Sequence, residues 1–214
     1  MEDQEPKHVR RVRYKGTHPK SYKEKYKEQQ PELYAEDVAK IVEQGRTVAG
    51  THRPICVNEI MEILQVTPGQ IGLDATLGYG GHSLEILKKV QPNGRLYATD
   101  VDPFELPRTI KRLAALGFGP EILLARKMNF AAIDRIVSES GLLDFVLADL
   151  GVSSMQIDNP ERGFSFKVDG PLDLRLNPSK GKSVAALLKS ISQEKLEDIL
   201  KTNADEPYYQ YIAY

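Results

Sequence analysis

Residues 74–83 read Asp74-Ala-Thr-Leu-Gly78-Tyr-Gly80-Gly81-His82-Ser83. The apolar run Ile71–Ala75 leads into this glycine cluster, and an amphipathic segment, Leu84–Val90, leads out of it. Strand, tight glycine turn and helix is how an α/β sheet builds a small-molecule site, because glycine lets backbone N–H groups approach a ligand closely. A dinucleotide-binding turn carries a third glycine three residues after its second. Counted from Gly78 and Gly80 that position is Ser83, so the dinucleotide pattern fails where helix and strand should pack closest.

Downstream the alternation continues. Arg95–Thr99 reads as a strand after the Asn93-Gly94 turn, and Pro103–Leu116 as a helix with Asp102 as N-cap and Pro103 at the first helical position. Pro107 should kink that helix or delay its start. Glu121–Ala125 reads as the next strand, Ile133–Ser140 as a helix and Phe145–Ala148 as a buried strand. Four strands alternating with helices predict a parallel, doubly wound α/β sheet. Upstream, Tyr34, Val38, Ile41 and Val42 share a helical face with Gly45 as a stop, and Val57, Ile60, Met61 and Leu64 share another, closed by Pro68-Gly69.

Beyond the fourth strand, Val184, Leu187, Leu188 and Ile191 predict a helix starting at Ser183, and Leu196, Ile199 and Leu200 a further one. No convincing strand follows Ala148, so the fourth strand should form an exposed edge with an apolar flank. The expected organisation is a basic arm and helix over 1–50, an α/β core over 51–155, and a loop with a partial helical insertion over 156–214.

Composition frames this reading. The chain has 214 residues, 41% hydrophobic and 28% charged, which is ordinary for a soluble globular protein. Its one cysteine, Cys56, excludes an internal disulfide and reads as a buried spectator thiol in a reducing compartment. No apolar run approaches the ~20 residues of a membrane span. The N-terminus shows no signal-peptide core, so the expected location is cytoplasmic. The net charge of −1 hides an uneven distribution: Lys7–Lys27 holds nine Lys or Arg against one acid, with Tyr14 and Tyr22 interleaved. Such an arm suits contact with a phosphate backbone and unstacked bases, and equally suits a solvated tail.

Ligands in doubly wound sheets sit beyond the carboxyl ends of the strands. The first strand ends in the glycine turn. The second ends in Asp100, about twenty residues on, where a carboxylate can accept hydrogen bonds from ribose hydroxyls. The third ends near Asn129-Phe130, whose ring could cover a base or fill the core. The fourth ends in Asp149, which after Phe-Val-Leu-Ala should be buried beside the ligand.

The stretch Asp74–Ser83, Asp100-Val-Asp-Pro, Asn129-Phe130 and Asp149-Leu-Gly-Val-Ser-Ser-Met-Gln156 closely resemble the RsmH/MraW family. The run Asp158-Asn-Pro-Glu-Arg-Gly-Phe-Ser-Phe166, continuing through Asp169-Gly-Pro-Leu-Asp173-Leu-Arg175, looks like the same family's signature loop. The resemblance implies a Rossmann-like class I methyltransferase fold, incomplete here. It also implies S-adenosylmethionine as cofactor and transfer of a methyl group to the N4 amine of a cytosine in small-subunit ribosomal RNA. Cofactor contacts would then fall on Gly80, Gly81, His82, Asp100, Phe130, Asp149 and Gln156; no metal is expected.

Methyl transfer from a sulfonium is an in-line displacement, so acceptor nitrogen, methyl carbon and sulfur must be held nearly collinear. The exocyclic amine of cytosine is a poor nucleophile, and an acceptor for its protons stabilises the charge that develops on nitrogen. Asp149, or a backbone carbonyl just after it, is the catalytic candidate. Where many amino-methyltransferases carry Asn/Asp-Pro-Pro-Tyr/Phe, this chain has Asp-Leu-Gly-Val. Arg162, Phe164 and Arg175 are the candidates for clamping or stacking on a splayed-out nucleotide. The expected partners are ribosomal RNA or the small ribosomal subunit, with a second copy or another protein over the open edge. Two other classes remain: a non-catalytic cofactor- or RNA-binding module, and a nucleotide-dependent oxidoreductase.

Overall fold

Alternating apolar residues turn the expected strands into one sheet with a core on each face. The computed structural model describes residues 54–214 and Glu36; the basic arm Lys7–Lys27 and the helix expected over Tyr34–Val42 lie outside the described residues. In order, the elements are α1 (Val57–Leu64), β1 (Ile71–Asp74), α2 (Gly81–Val90), β2 (Arg95–Asp100), α3 (Glu105–Ala115), β3 (Leu123–Lys127), α4 (Ile133–Ser140), β4 (Phe145–Leu147), α5 (Ser154–Asp158), α6 (Val184–Leu188), α7 (Gln193–Ala204) and α8 (Tyr209–Ala213). Short 3₁₀ turns, Phe130–Ala132 and Pro160–Arg162, precede α4 and follow α5.

The strands pair in parallel in the order β3-β2-β1-β4. Leu73 of β1 stands beside Tyr97 of β2 on one side and Val146 of β4 on the other. Leu96 and Ala98 pack with Ile86, Leu87, Val90, Leu106 and Leu113, and so join the sheet to α2 and α3, with α1 on the same cluster through Met61. Leu73, Ala75 and Tyr97 meet Ile136 of α4 in a second cluster. The chain therefore lays α2 and α3 on one face while moving outward from β1 to β3, then crosses back with α4 to place β4 on the far side of β1. That reversal is the topological switch point of a doubly wound sheet. Each wholly buried side chain, such as Leu73, Ile86, Leu87 or Leu96, contributes roughly 1.5–3 kcal/mol. Gly72 has no Cβ for a packing reason: one placed there would run into the Phe145 ring.

Strands β1, β2 and β4 end within one residue of expectation, and three other boundaries differ for identifiable reasons. β3 spans Leu123–Lys127 rather than Glu121–Ala125, because the Glu121 carboxylate accepts a hydrogen bond from the Gly119 N–H and holds a turn ahead of the strand. α3 begins at Glu105 rather than Pro103, but the expected cap is present: Asp102 Oδ1 accepts from the N–H groups of Phe104 at 2.9 Å and Glu105 at 3.3 Å. Pro107 sits in the first turn, where a missing N–H costs no intrahelical bond. α1 closes at Gln65, in the left-handed region (φ 48°), ahead of Pro68-Gly69. α8 was not legible as an amphipathic pattern, being only five residues long.

Among the described residues no strand follows β4, which forms one edge of the sheet. Val146 is 47% exposed and Leu142, just before the strand, is 91% exposed. No helix among the described residues is long and apolar enough to cross a membrane.

Candidate functional site

The ends of all four strands open on one cavity of about 530 Å³, whose walls include Asp74, Gly78–His82, Asp100, Phe130, Asp149 and Gln156. The turn after β1 is held from three directions. Asp100 Oδ2 accepts from the Gly78 N–H at 2.7 Å, Thr109 of α3 donates its hydroxyl to the Gly78 carbonyl at 2.6 Å, and the Leu77 N–H donates to the Thr99 carbonyl at 2.9 Å. The Arg112 guanidinium lies 3.4 Å from the centroid of the Tyr79 ring. Gly80 has φ 76°, and a Cβ on it would come 2.8 Å from Thr109 Cγ2; one on Gly81 would come 2.8 Å from Pro54 Cδ. These two glycines are required for close packing of the turn as much as for the approach of a ligand.

Asp74 was not among the expected site residues, yet it lies at the base of the cavity and is 2% exposed. Ser83 donates to its Oδ2 at 2.6 Å and the Thr76 N–H to its Oδ1 at 3.0 Å. Burial pushes the Asp74 carboxyl above its ordinary value, against the opposing pull of the Ser83 and Thr76 hydrogen bonds. Ser83 is the position where the dinucleotide pattern fails, and the structure gives the reason. A hydroxyl is needed there to partner a buried acid, and glycine would leave Asp74 with one fewer donor. The signal was present in the sequence as an acid at the end of an apolar strand, nine residues before a serine on the first turn of a helix.

Asp100 is half-buried and lines the cavity; besides bracing Gly78 it accepts from the Asp102 N–H at 2.8 Å through Oδ1. His82 is 7% exposed. Its Nε2 lies 2.9 Å from the Ile55 carbonyl, which can only accept, so that nitrogen carries the proton. Nδ1 then faces Asp149 Oδ2 at 3.7 Å. Phe130 is 43% exposed, so it is a wall of the cavity and not part of the core. Gln156 closes a capping box with Ser153 at the start of α5 and donates through Nε2 to Asp102 Oδ2 at 2.8 Å.

Three expectations are corrected. Cys56, expected to be buried, is exposed at the start of α1. Asp149 is not buried: its side chain is 48% exposed, because β4 is an edge strand with a neighbour on one side only. Its N–H donates to Thr76 Oγ1 at 2.8 Å, which keeps the residue at the cavity mouth. Arg162 does not stand free to clamp a nucleotide. It is 9% exposed and pairs with Asp102 Oδ2 at 2.9 Å, across sixty positions of sequence. Phe164 lies beside that guanidinium at 5.9 Å, and Arg175 is held by both oxygens of Asp173, at 2.7 and 2.6 Å; neither is on the cavity wall. The Arg175 hydrogen bonds hold the Asp173 carboxyl down at about 2.

The lining carries four carboxylates, Asp74, Asp100, Glu105 and Asp149, one histidine, and no lysine or arginine. Four carboxylates and no lysine or arginine favour a ligand with hydroxyls and positive charge over a pyrophosphate. Helix α2 opens on the same space and no side chain caps it, which offers N–H groups and the positive dipole end to a carboxylate. S-Adenosylmethionine, with a ribose, a sulfonium, an ammonium and a carboxylate, fits that donor and acceptor set. Among the described residues no three His, Cys, Asp or Glu gather as they would around a metal ion.

A parallel, doubly wound sheet with an acid-lined cavity at its switch point defines an α/β protein whose candidate ligand site lies at the carboxyl ends of its strands. The chain belongs to the MraW methylase family, whose pattern it matches over residues 49–214. It is 64% identical over 212 residues to ribosomal RNA small subunit methyltransferase H 1 of Lachnoclostridium phytofermentans, a match covering 99% of this chain and 58% of that protein. It is 66% identical over 207 residues to ribosomal RNA small subunit methyltransferase H 2 of Alkaliphilus metalliredigens, covering 97% of this chain and 59% of that one. The ribosomal RNA small subunit methyltransferase H of Halorhodospira halophila is 39% identical over 188 residues, covering 85% and 55%. The chain thus spans under 60% of the length of these curated relatives.

Proposed function

We propose that the protein is an S-adenosylmethionine-dependent methyltransferase that modifies the exocyclic N4 amine of a cytosine in small-subunit ribosomal RNA. The observation that carries this reading is the cavity, with four carboxylates, no lysine or arginine, and an uncapped helix N-terminus at the switch point of the sheet. Its relatives' names, which specify small-subunit ribosomal RNA, supply the substrate class. The same cavity disfavours the oxidoreductase alternative, since four carboxylates repel a dinucleotide pyrophosphate and the third glycine of that pattern is replaced by Ser83, bound to Asp74. A ribosomal substrate also makes the cytoplasm the proposed place of action.

When bound, S-adenosylmethionine supplies a methyl group made electrophilic by the sulfonium. Asp100 accepts from the ribose hydroxyls while its other contacts keep the glycine turn in place. Phe130 would cover the base, and the backbone N–H groups of Gly81 and His82 in the first turn of α2 would hold the carboxylate. Asp149, at the cavity mouth and open to solvent, accepts a hydrogen bond from the incoming amine and stabilises the charge that grows on nitrogen. A carboxylate in that half-exposed position is reachable by a nucleotide drawn out of its stack, which a buried one is not.

The test is methyl transfer from radiolabelled cofactor to small-subunit RNA and to assembled small subunits, with the modified base mapped. Label on a cytosine N4 supports the proposal; label elsewhere on RNA overturns the position, and none on either substrate overturns the activity. Among the described residues the sheet ends at β4, and that open edge favours a second reading, a non-catalytic cofactor- or RNA-binding module. Cofactor binding without turnover distinguishes it.

A further inference from the structure

Arg162 lines no part of the cavity, yet three groups on its walls depend on the guanidinium. Its Nη1 donates to Asp102 Oδ2 at 2.9 Å, and the same oxygen receives Gln156 Nε2 at 2.8 Å. The Asp102 N–H in turn donates to Asp100 Oδ1 at 2.8 Å. On its other side, Arg162 Nη2 donates to the carbonyl of Leu176 at 2.8 Å, and Leu176 lines the cavity from the far end of the loop. Asp102 is 1% exposed and both its oxygens are occupied, Oδ1 by the start of α3. The rings of Phe104 and Phe164 lie 5.4 and 5.9 Å from the guanidinium carbon.

We infer that Arg162 is a positioning residue, which couples the loop of residues 163–176 to the cofactor-binding walls through Asp102 and the Leu176 carbonyl. This rests on the cofactor reading above and adds to it that the loop and the cofactor pocket are set together by one side chain. Only a planar fork can do this. A guanidinium reaches a carboxylate and a carbonyl on different elements at fixed angles, whereas an ammonium is a single point of charge on a flexible stem. A buried pair of this kind adds little net stability over an apolar replacement, so geometry is what it contributes.

The test compares the full chain with Arg162→Lys, which keeps the charge beside Asp102 and loses the fork. Two measurements are made: calorimetric affinity for S-adenosylmethionine, and hydrogen exchange by segment. The expected result is an affinity about tenfold weaker or more, as for loss of a hydrogen bond to a charged group. Exchange is expected to be faster at residues 153–158 and 174–178, with β1 and β2 unchanged. Wild-type affinity in Arg162→Lys overturns the inference. So does weaker affinity with exchange accelerated evenly through β1 and β2, the sign of a merely structural role. A wild-type chain that binds no cofactor removes the cofactor reading instead, and the exchange pattern alone then decides: faster exchange in the loop with 153–158 unchanged refutes the coupling. If Arg162→Lys does not fold, Phe104→Leu loosens the guanidinium without touching its polar partners. The same two readouts should then move in the same direction; no movement overturns the inference.

Discussion

Replacing Ser83 with alanine removes the 2.6 Å hydrogen bond to Asp74 and nothing else of size, since the Ser83 side chain is fully buried and alanine fits its space. The lost bond is to a buried acid, and where that acid is ionised the loss costs about 2 kcal/mol. For a chain of this length 1 kcal/mol moves the thermal midpoint by about 2–4 °C, so Ser83→Ala should melt about 4–8 °C lower. The pH dependence is the sharper test. The folded state raises the Asp74 pKa above the ordinary 3.8. Between that value and the raised one the folded state therefore binds more protons than the unfolded chain, and stability falls as pH rises. The Asp74 contribution is fully present below the ordinary value and is lost as pH climbs through the folded one. Ser83 opposes the upward shift, so without it the folded value rises further and the fall continues to higher pH. The destabilisation measured by urea titration should accordingly be larger at the alkaline end of the stable pH range than at its acid end. A deficit equal at both pH values, or below about 0.5 kcal/mol at the higher, would refute the reasoning that the serine exists to serve a charged, buried acid.

Asp100→Ala should weaken cofactor binding by on the order of 2 kcal/mol, because two charge-assisted hydrogen bonds are lost; unchanged calorimetric affinity removes Asp100 from the site. Gly80→Ala forces a side chain into φ 76° and against Thr109, whereas Gly117→Ala meets the same kind of backbone penalty at φ 91° with nothing within 4 Å. Both should lose about 1 kcal/mol or more, with Gly80→Ala the worse in chemical denaturation, and equal losses would show that the turn does not pack as described. Asp173 is held at about 2 against an ordinary 3.8 by Arg175. Its contribution to stability is present above the ordinary value and fades as pH falls toward the lower one, so Asp173→Asn should flatten the acid limb of the stability curve. A limb as steep as that of the parent, in urea midpoints taken from about pH 5 to about pH 2, would assign acid sensitivity to other groups.

The elements that were legible are those whose signal is local. The continuous buried run Leu96, Tyr97 and Ala98 of β2, and the buried Leu106, Thr109 and Leu113 of α3, follow from hydrophobic spacing alone. Asp100 and the glycine turn were legible because a strand followed by a turn places its own next residues at the sheet's edge. Arg162 was misread for the opposite reason: its partner Asp102 is sixty positions away, and an arginine in a loop with phenylalanines reads as a surface clamp until that pairing is seen. Asp149 was misread because the apolar run Phe-Val-Leu-Ala was taken to bury the acid that follows it, although the edge position expected for β4 leaves that residue a strand neighbour on one side only. Asp102 was half legible. Its capping role is local, and its second oxygen, which takes Gln156 and Arg162, is not.

The edge position of β4 bears on how stiffly the site is held. Asp74, the glycine turn and Asp100 extend from strands with hydrogen-bonded neighbours on both sides, while Asp149 follows a three-residue strand bonded to β1 alone. Of the carboxylates around the cavity, Asp149 is therefore the one whose displacement disturbs the fewest other bonds, the Thr76 hydroxyl being its main restraint. A chain segment that paired with the free side of β4 would double the number of ladders fixing that strand. It would narrow the spread of Asp149 positions without entering the cavity, and so alter the alignment of the reacting nitrogen while leaving the cofactor's own contacts as they are.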